Sequence, residues 1–150
     1  VADPIKGVEL LLIRDHAAAE ELARELDLSN LKRQKVEREA SEQIEEFIFQ
    51  NPQILEHKAL VLHSDQWHPG IIAILAARIA KQYNRPALII SINDGVGKGS
   101  IRTIPEFPVL GVLKKYEHLL MNFGGHDYAA GLTIPEKNIA EFKEYFIASA

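Results

Sequence analysis

The sequence predicts an α/β protein, a mixed sheet flanked by helices and preceded by a long connector helix. Three observations carry that expectation. Between residues 59 and 92 an apolar run, a helix-period run and a second apolar run follow one another, the pattern of two parallel strands joined by a right-handed helical crossover. Asn93-Asp94-Gly95 then marks a hairpin turn, which adds an antiparallel strand to the parallel pair. Ahead of both, Ser29 to about Gln50 reads as one helix that Asn51-Pro52 stops.

Taken in order, the chain opens with Pro4 to Ile13, whose apolar run of Val8 and Leu10 to Ile13 has no evident partner in this sequence. Asp15 is placed to cap a helix reaching about Leu26, with Ala18, Leu22, Ala23 and Leu26 as its stripe. The helix from Ser29 is polar on most sides through Lys32, Arg33, Lys35, Glu37, Arg38 and Glu39. It then gains an apolar stripe of Ala40, Ile44, Phe47 and Ile48, so it suits a bridge between two domains or a surface helix of one. Ala59 to His63 is expected to be a buried strand, Ser64 to Gly70 a loop, Ile71 to Tyr83 a helix and Ala87 to Ile92 the second strand. Lys98 to Thr103 follows as the antiparallel strand, and Phe107 to about Met121 as a helix burying Leu110, Leu113, Tyr116, Leu119 and Leu120. Phe123 to His126 reads as a turn and Ala130 to Ile134 as a strand. Pro135-Glu136 leads into a last helix with Ile139, Phe142 and Phe146 inward.

With 150 residues and 47% hydrophobic composition, the chain can bury a substantial core. It has no cysteine, which excludes a disulfide scaffold and thiolate chemistry and fits a reducing compartment. Its apolar runs are too short to span a bilayer and it opens without a signal-peptide pattern, so a cytoplasmic protein with no membrane partner is expected. The start at Val1 leads us to expect a piece of a longer protein. Residues 1–75 carry 8 basic and 14 acidic side chains, whereas residues 76–150 carry 9 and 7. The excess of acid in the first half argues against a general polyanion binder, so any nucleic-acid contact is expected as a local site in the second half.

Three stretches could carry chemistry. Gly95 to Thr103 packs three glycines, Lys98, Ser100 and Arg102 into nine positions; glycines admit an anion close to backbone N–H groups, and lysine and arginine supply charge and a donor fork. It is not a nucleotide P-loop, since Gly99 rather than Ser or Thr follows Lys98, and it lacks the dinucleotide spacing too. A solvated hairpin and an anion site both remain open, although a turn does not need Lys98, Ser100 and Arg102, which alternate onto one strand face. Gly124-Gly125-His126 could form a backbone nest with an imidazole aimed at the same oxygen, or be structural. Trp67-His68-Pro69-Gly70 lies where α/β sheets place ligands, with Trp67 either stacking on a base or packing. Neither a metal set nor a nucleophile elbow can be assembled: His63, Asp65 and His68 lack convergent carboxylates, Asp15-His16 reads as a cap, and Ser64 and Ser100 lack the strand–turn–helix setting.

Read together, Trp67 to Ile74, Gly97 to Arg102 and Phe123 to Gly131 resemble the RecJ single-stranded-DNA exonuclease family, and within it the DHHA1 domain, over about residues 59–148. Leu26 to Arg33, with Asn30 and Arg33, resembles the connector helix that precedes that domain. The resemblance implies residues 1–28 as the end of a preceding DHH domain and a short helix, 29–52 as the connector and 53–150 as the DHHA1 domain. It implies single-stranded DNA and the DHH domain of the same chain as partners. Two Mn²⁺ or Mg²⁺ ions would be bound by that DHH domain and none by these residues, leaving this chain inactive alone. Ser100 and Arg102 match positions that hold a 5′ phosphate or the DNA backbone, and His126 matches a histidine facing the scissile phosphate. Lys98, Gly124, Gly125, Trp67 and His68 complete the expected substrate contacts. Ile101 stands where the family often has glycine, and Thr103 where serine is common. The alternatives are the same half of a DHH phosphodiesterase for oligonucleotides or cyclic dinucleotides, and a non-catalytic nucleic-acid-binding or protein-binding module.

Overall fold

The computed structural model describes residues 4–105 and 107–150, and the described residues form two compact units that divide between Glu39 and Ala40. In the first unit, α1 (Pro4–Leu12) is mostly exposed, with Val8, Leu11 and Leu12 facing solvent. Asp15 Oδ1 then accepts the backbone N–H groups of Ala17 (2.9 Å) and Ala18 (3.2 Å), which satisfies two of the donors left open at the start of α2 (His16–Gln50). The two helices expected on either side of Asp27-Leu28 are one. That dipeptide holds neither glycine nor proline, and pairs four residues apart, Arg33–Glu37 (2.9 Å) and Lys35–Glu39 (3.8 Å), support the polar stretch. Arg33 also donates to Asn30.

The second unit is built on a five-stranded sheet of order β1-β2-β3-β5-β4. Its strands are β1 (Leu60–Ser64), β2 (Ala87–Asn93), β3 (Val96–Arg102), β4 (Asn122–His126) and β5 (Ala129–Pro135). As expected, β1 and β2 are parallel and joined through α3 (Ile72–Tyr83), and β3 returns antiparallel to β2. The hairpin closes on Asp94 (φ 48°) and Gly95 (φ 75°), both left-handed, which is the turn whose twist matches the strands.

Period-two alternation divides the sheet into two faces. On the first, Val61, Leu88, Ile90, Ile101, Leu132 and Ile134 pack against α4 (Val109–Lys115) and α5 (Ile139–Ala148), with Phe142 and Phe146 fully buried. Helix α5 lies so close that a Cβ on Gly97 would stand 2.7 Å from Ile90 Cγ2 and 3.3 Å from Ile139 Cδ1. On the second face, Leu60, Leu62, Ala87 and Ile89 pack against Ile72, Leu75, Ala76 and Ile79 of α3 and Ala40, Ile44 and Ile48 of α2.

Two expected elements differ. The helix from Phe107 to Met121 ends at Lys115, because Tyr116 leaves the helical region (φ −114°, ψ 25°) to stack on Tyr145 of α5 at 4.5 Å, and a single 3₁₀ turn, Glu117–Leu119, follows. The expected turn at Phe123 to His126 is strand β4. Its glycines lower strand propensity, but β5 supplies a complete antiparallel partner and the turn falls on Asp127-Tyr128.

Candidate nucleic-acid interface

The second face changes character across β3: α3 packs against β3 as well as β2 and Ser100 is buried there, whereas β5 and β4 beyond are uncovered. Cross-strand register sets three rows there: Arg102 opposite Ala129 opposite His126, Ser100 opposite Gly131 opposite Gly124, and Lys98 opposite Thr133 opposite Asn122. Residues directly opposite in a ladder point to one face, so these nine share a surface. Lys98, Gly131, Asn122, Gly124 and His126 are exposed, so this part of the sheet opens to solvent. Arg102 and His126 stand two strands apart, about 10 Å between backbones.

Arg102 is held rather than free to wander. Its Nη1 donates to the Ile101 carbonyl at 3.0 Å and to Ser100 Oγ at 3.4 Å, which sets the guanidinium over the serine. Just beyond, the Thr103 N–H donates to the Tyr128 carbonyl and its hydroxyl to the Ile104 carbonyl, closing the end of β3. Among the described residues no carboxylate lies within 4 Å of Arg102 or Lys98, so both cations keep charge for a ligand. Ile101 is fully buried on the first face, away from Ser100 and Arg102.

The structure sorts the other residues singled out by sequence. Gly124 lies on the open face, but Gly125 is on the first face and is pinned there: at φ 151°, a Cβ would stand 2.4 Å from the Ala129 carbonyl oxygen and 2.5 Å from Ala130 Cα. The two glycines therefore form no nest. Trp67 turns inward, 7% exposed, with its indole N–H donating to Gln43 Oε1 at 3.0 Å and its carbonyl accepting from Ser91. The residue is packed into the core and only borders the neighbouring clefts, which leaves too little surface exposed for a base to stack on. His68 is exposed and lines, with Asp65, Asn93 and Lys98, a cleft of about 640 Å³ at the carboxyl ends of β1 and β2. Its Nδ1 accepts the Gly70 N–H at 2.9 Å, which turns Nε2 outward. His63 lies instead in a second groove with Phe47, Trp67 and Lys143. Desolvation, and then the charge of Lys143, lower its pKa below the usual histidine value, against a smaller upward pull from Glu136.

Gly131, Thr133 and Asn122 were not singled out by sequence, because only the register shows that they share a face with Ser100 and Arg102. For Gly131 the signals available were its place in the Phe123 to Gly131 stretch and a glycine in mid-strand. Among the described residues no group of three or more histidine, aspartate or glutamate side chains is placed to hold a metal ion. Asp15 is engaged as a cap and Asp65 sits in the polar cleft, so the described side chains do not fit a two-metal centre. No helix among the described residues is long and apolar enough to cross a membrane.

The glycine-lined, cationic face lies open at the β5–β4 side of a mixed sheet whose β1–β2 side is covered by α2 and α3. The chain belongs to the DHHA1 domain family, whose model matches residues 56–150. Within that class it is RecJ-like. It is 35% identical over 144 residues to the single-stranded-DNA-specific exonuclease RecJ of Bacillus subtilis, covering 95% of this chain and 18% of that protein. Against the RecJ of Haemophilus influenzae it is 36% identical over 149 residues, covering 93% of this chain and 26% of that protein. The crystal structure of RecJ from Thermus thermophilus in complex with Mn²⁺ superposes with a TM-score of 0.83 at 33% identity, covering 95% of this chain and 21% of that one. That of exonuclease RecJ bound to manganese gives 0.81 at 33% identity, covering 95% and 35%. The chain thus spans about a quarter or less of the length of these curated relatives.

Proposed function

We propose that this chain is the substrate-binding part of a RecJ-type 5′ to 3′ single-stranded-DNA exonuclease, holding the strand and its 5′ phosphate on the open face of β3, β5 and β4. One observation carries the reading: the register sets Arg102 and His126 in a single row, with Ser100 in the next, on a face where no carboxylate among the described residues neutralises the cations. Arg102 acts as the phosphate fork, Ser100 as a short-range donor, Lys98 as a second charge further along the strand, and His126 as donor to a non-bridging oxygen of the scissile phosphate. Gly124 lets the ligand approach the backbone, Gly125 holds β4 in place to present His126, and His68 reaches the strand from the neighbouring cleft.

In this reading residues 1–28 are the end of a DHH domain and a short helix, 29–52 the connector and 53–150 the DHHA1 domain. The divalent metal ions belong to the DHH domain, where they would supply the nucleophile and neutralise developing charge. The relatives solved with Mn²⁺ or Mg²⁺ support divalent-metal chemistry for the complete enzyme. The residues of this chain bind and orient. The test is binding of a short single strand with and without a 5′ phosphate, for wild type and Arg102→Ala. A preference for the phosphate that the substitution abolishes supports the reading; equal binding of both strands by wild type overturns the end-recognition role.

A further inference from the structure

The fold explains most glycines of the sheet. Gly95 and Gly125 have positive φ, and a Cβ on Gly97, Gly99 or Gly125 would come within 2.7, 2.8 or 2.4 Å of packed neighbours. Gly124 and Gly131 are different. Neither has positive φ, a Cβ on Gly124 would meet nothing within 4 Å, and one on Gly131 would meet only the Gly99 carbonyl oxygen at 3.8 Å, an ordinary contact. Both sit in mid-strand, where glycine weakens a sheet, so packing gains nothing from either.

An independent observation lies in the same row. Ser100 is 8% exposed, and the one hydrogen bond its hydroxyl makes among the described residues is as acceptor, from Arg102 at 3.4 Å. That bond satisfies the hydroxyl oxygen, as every buried side-chain polar atom among the described residues is satisfied, and its O–H keeps a donor beside the bare backbone of Gly131. Flanking the row are Arg102 and His126 on one side and Lys98 on the other, roughly 13 Å apart along the strands.

We infer that Gly131, with Gly124 beside it, is a specificity-determining floor, kept free of side chains so that the sugar–phosphate backbone of one unpaired strand lies directly on the sheet, with Ser100 donating into it. The inference rests on the nucleic-acid reading above and adds Gly131, whose role is to exclude any Cβ. A methyl group at this position stands about 1.5 Å out of the floor and lifts the strand away from Ser100 and Arg102 together.

The test measures binding of a 5′-phosphorylated single-stranded oligodeoxynucleotide, alongside thermal stability, for the intact protein and its Gly131→Ala, Gly131→Val and Arg102→Ala variants. Binding should weaken about tenfold or more for Gly131→Val, less for Gly131→Ala, with unfolding temperatures at or above wild type. If Arg102→Ala weakens binding while Gly131→Val binds as wild type, the floor is overturned and the nucleic-acid reading stands. If Gly131→Val lowers the unfolding temperature markedly, the glycine is structural and the inference fails. If wild type does not bind, or Arg102→Ala is without effect, the underlying reading fails and this one with it.

Discussion

Replacing Trp67 with alanine separates packing from base stacking at the one tryptophan of the chain. The ring is 7% exposed in the cluster formed by α2, α3, β1 and β2. A buried tryptophan hides about 200 Å² of surface, which at about 25 cal/mol per Å² is worth about 5 kcal/mol. The lost bond to Gln43 adds about 1 kcal/mol, offset because Gln43 is exposed and water replaces it. Trp67 also borders two open clefts, so water and neighbours refill part of the vacated space. The expected loss is therefore about 3–5 kcal/mol, read as a shift in urea midpoint at unchanged slope by circular dichroism. Binding of a single-stranded oligonucleotide, measured where both proteins are folded, should change less than about threefold. A stability loss below about 1 kcal/mol with binding abolished would refute the reasoning and make Trp67 a stacking platform.

Other outcomes follow from the same geometry. Gly125→Ala should cost about 1–3 kcal/mol, since the new Cβ meets backbone at 2.4 Å, while Gly124→Ala should be neutral or stabilise by about 0.5 kcal/mol; equal effects in urea melts would contradict this account of β4. With Lys98 and Arg102 on phosphates, the logarithm of affinity should fall against the logarithm of salt with a slope of about −1.4, or about sevenfold between ~50 and ~200 mM, and Lys98→Ala should reduce that slope. A salt-independent affinity would contradict phosphate contact. His63 is held below its ordinary value of 6.5 when folded, so the unfolded chain binds more protons just below that pH. Its contribution to stability is present above pH 6.5 and declines as pH falls toward the folded value. Lys143→Gln should raise the imidazole pKa only in part, because desolvation is the larger cause; an NMR titration placing wild-type His63 at or above 6.5 would exclude this.

The sequence made the strand–helix–strand unit and its hairpin legible because burial and period coincide there: Leu60 to Leu62 and Ala87 to Ile90 are buried runs, and Asn93-Asp94-Gly95 permits one kind of turn. Helix α4 was read too long because Leu119 continues its apolar spacing, while the Tyr116–Tyr145 stacking that ends it is a tertiary contact. Strand β4 was hidden because Gly124 and Gly125 look alike in sequence and are opposite in space. Lys98, Ser100 and Arg102 could be read as one face from alternation alone. That His126 and Gly131 join them depends on the order β3-β5-β4, which local pattern does not carry.

The most direct measurement is an amide NMR titration of the intact protein with a short 5′-phosphorylated single strand. The account predicts that the shifts concentrate on Lys98 to Arg102, Gly124 to His126 and Gly131, and leave α5 and the Tyr116–Tyr145 pair unmoved. Shifts confined to α5 or to the His63 groove, with β3, β5 and β4 silent, would contradict it.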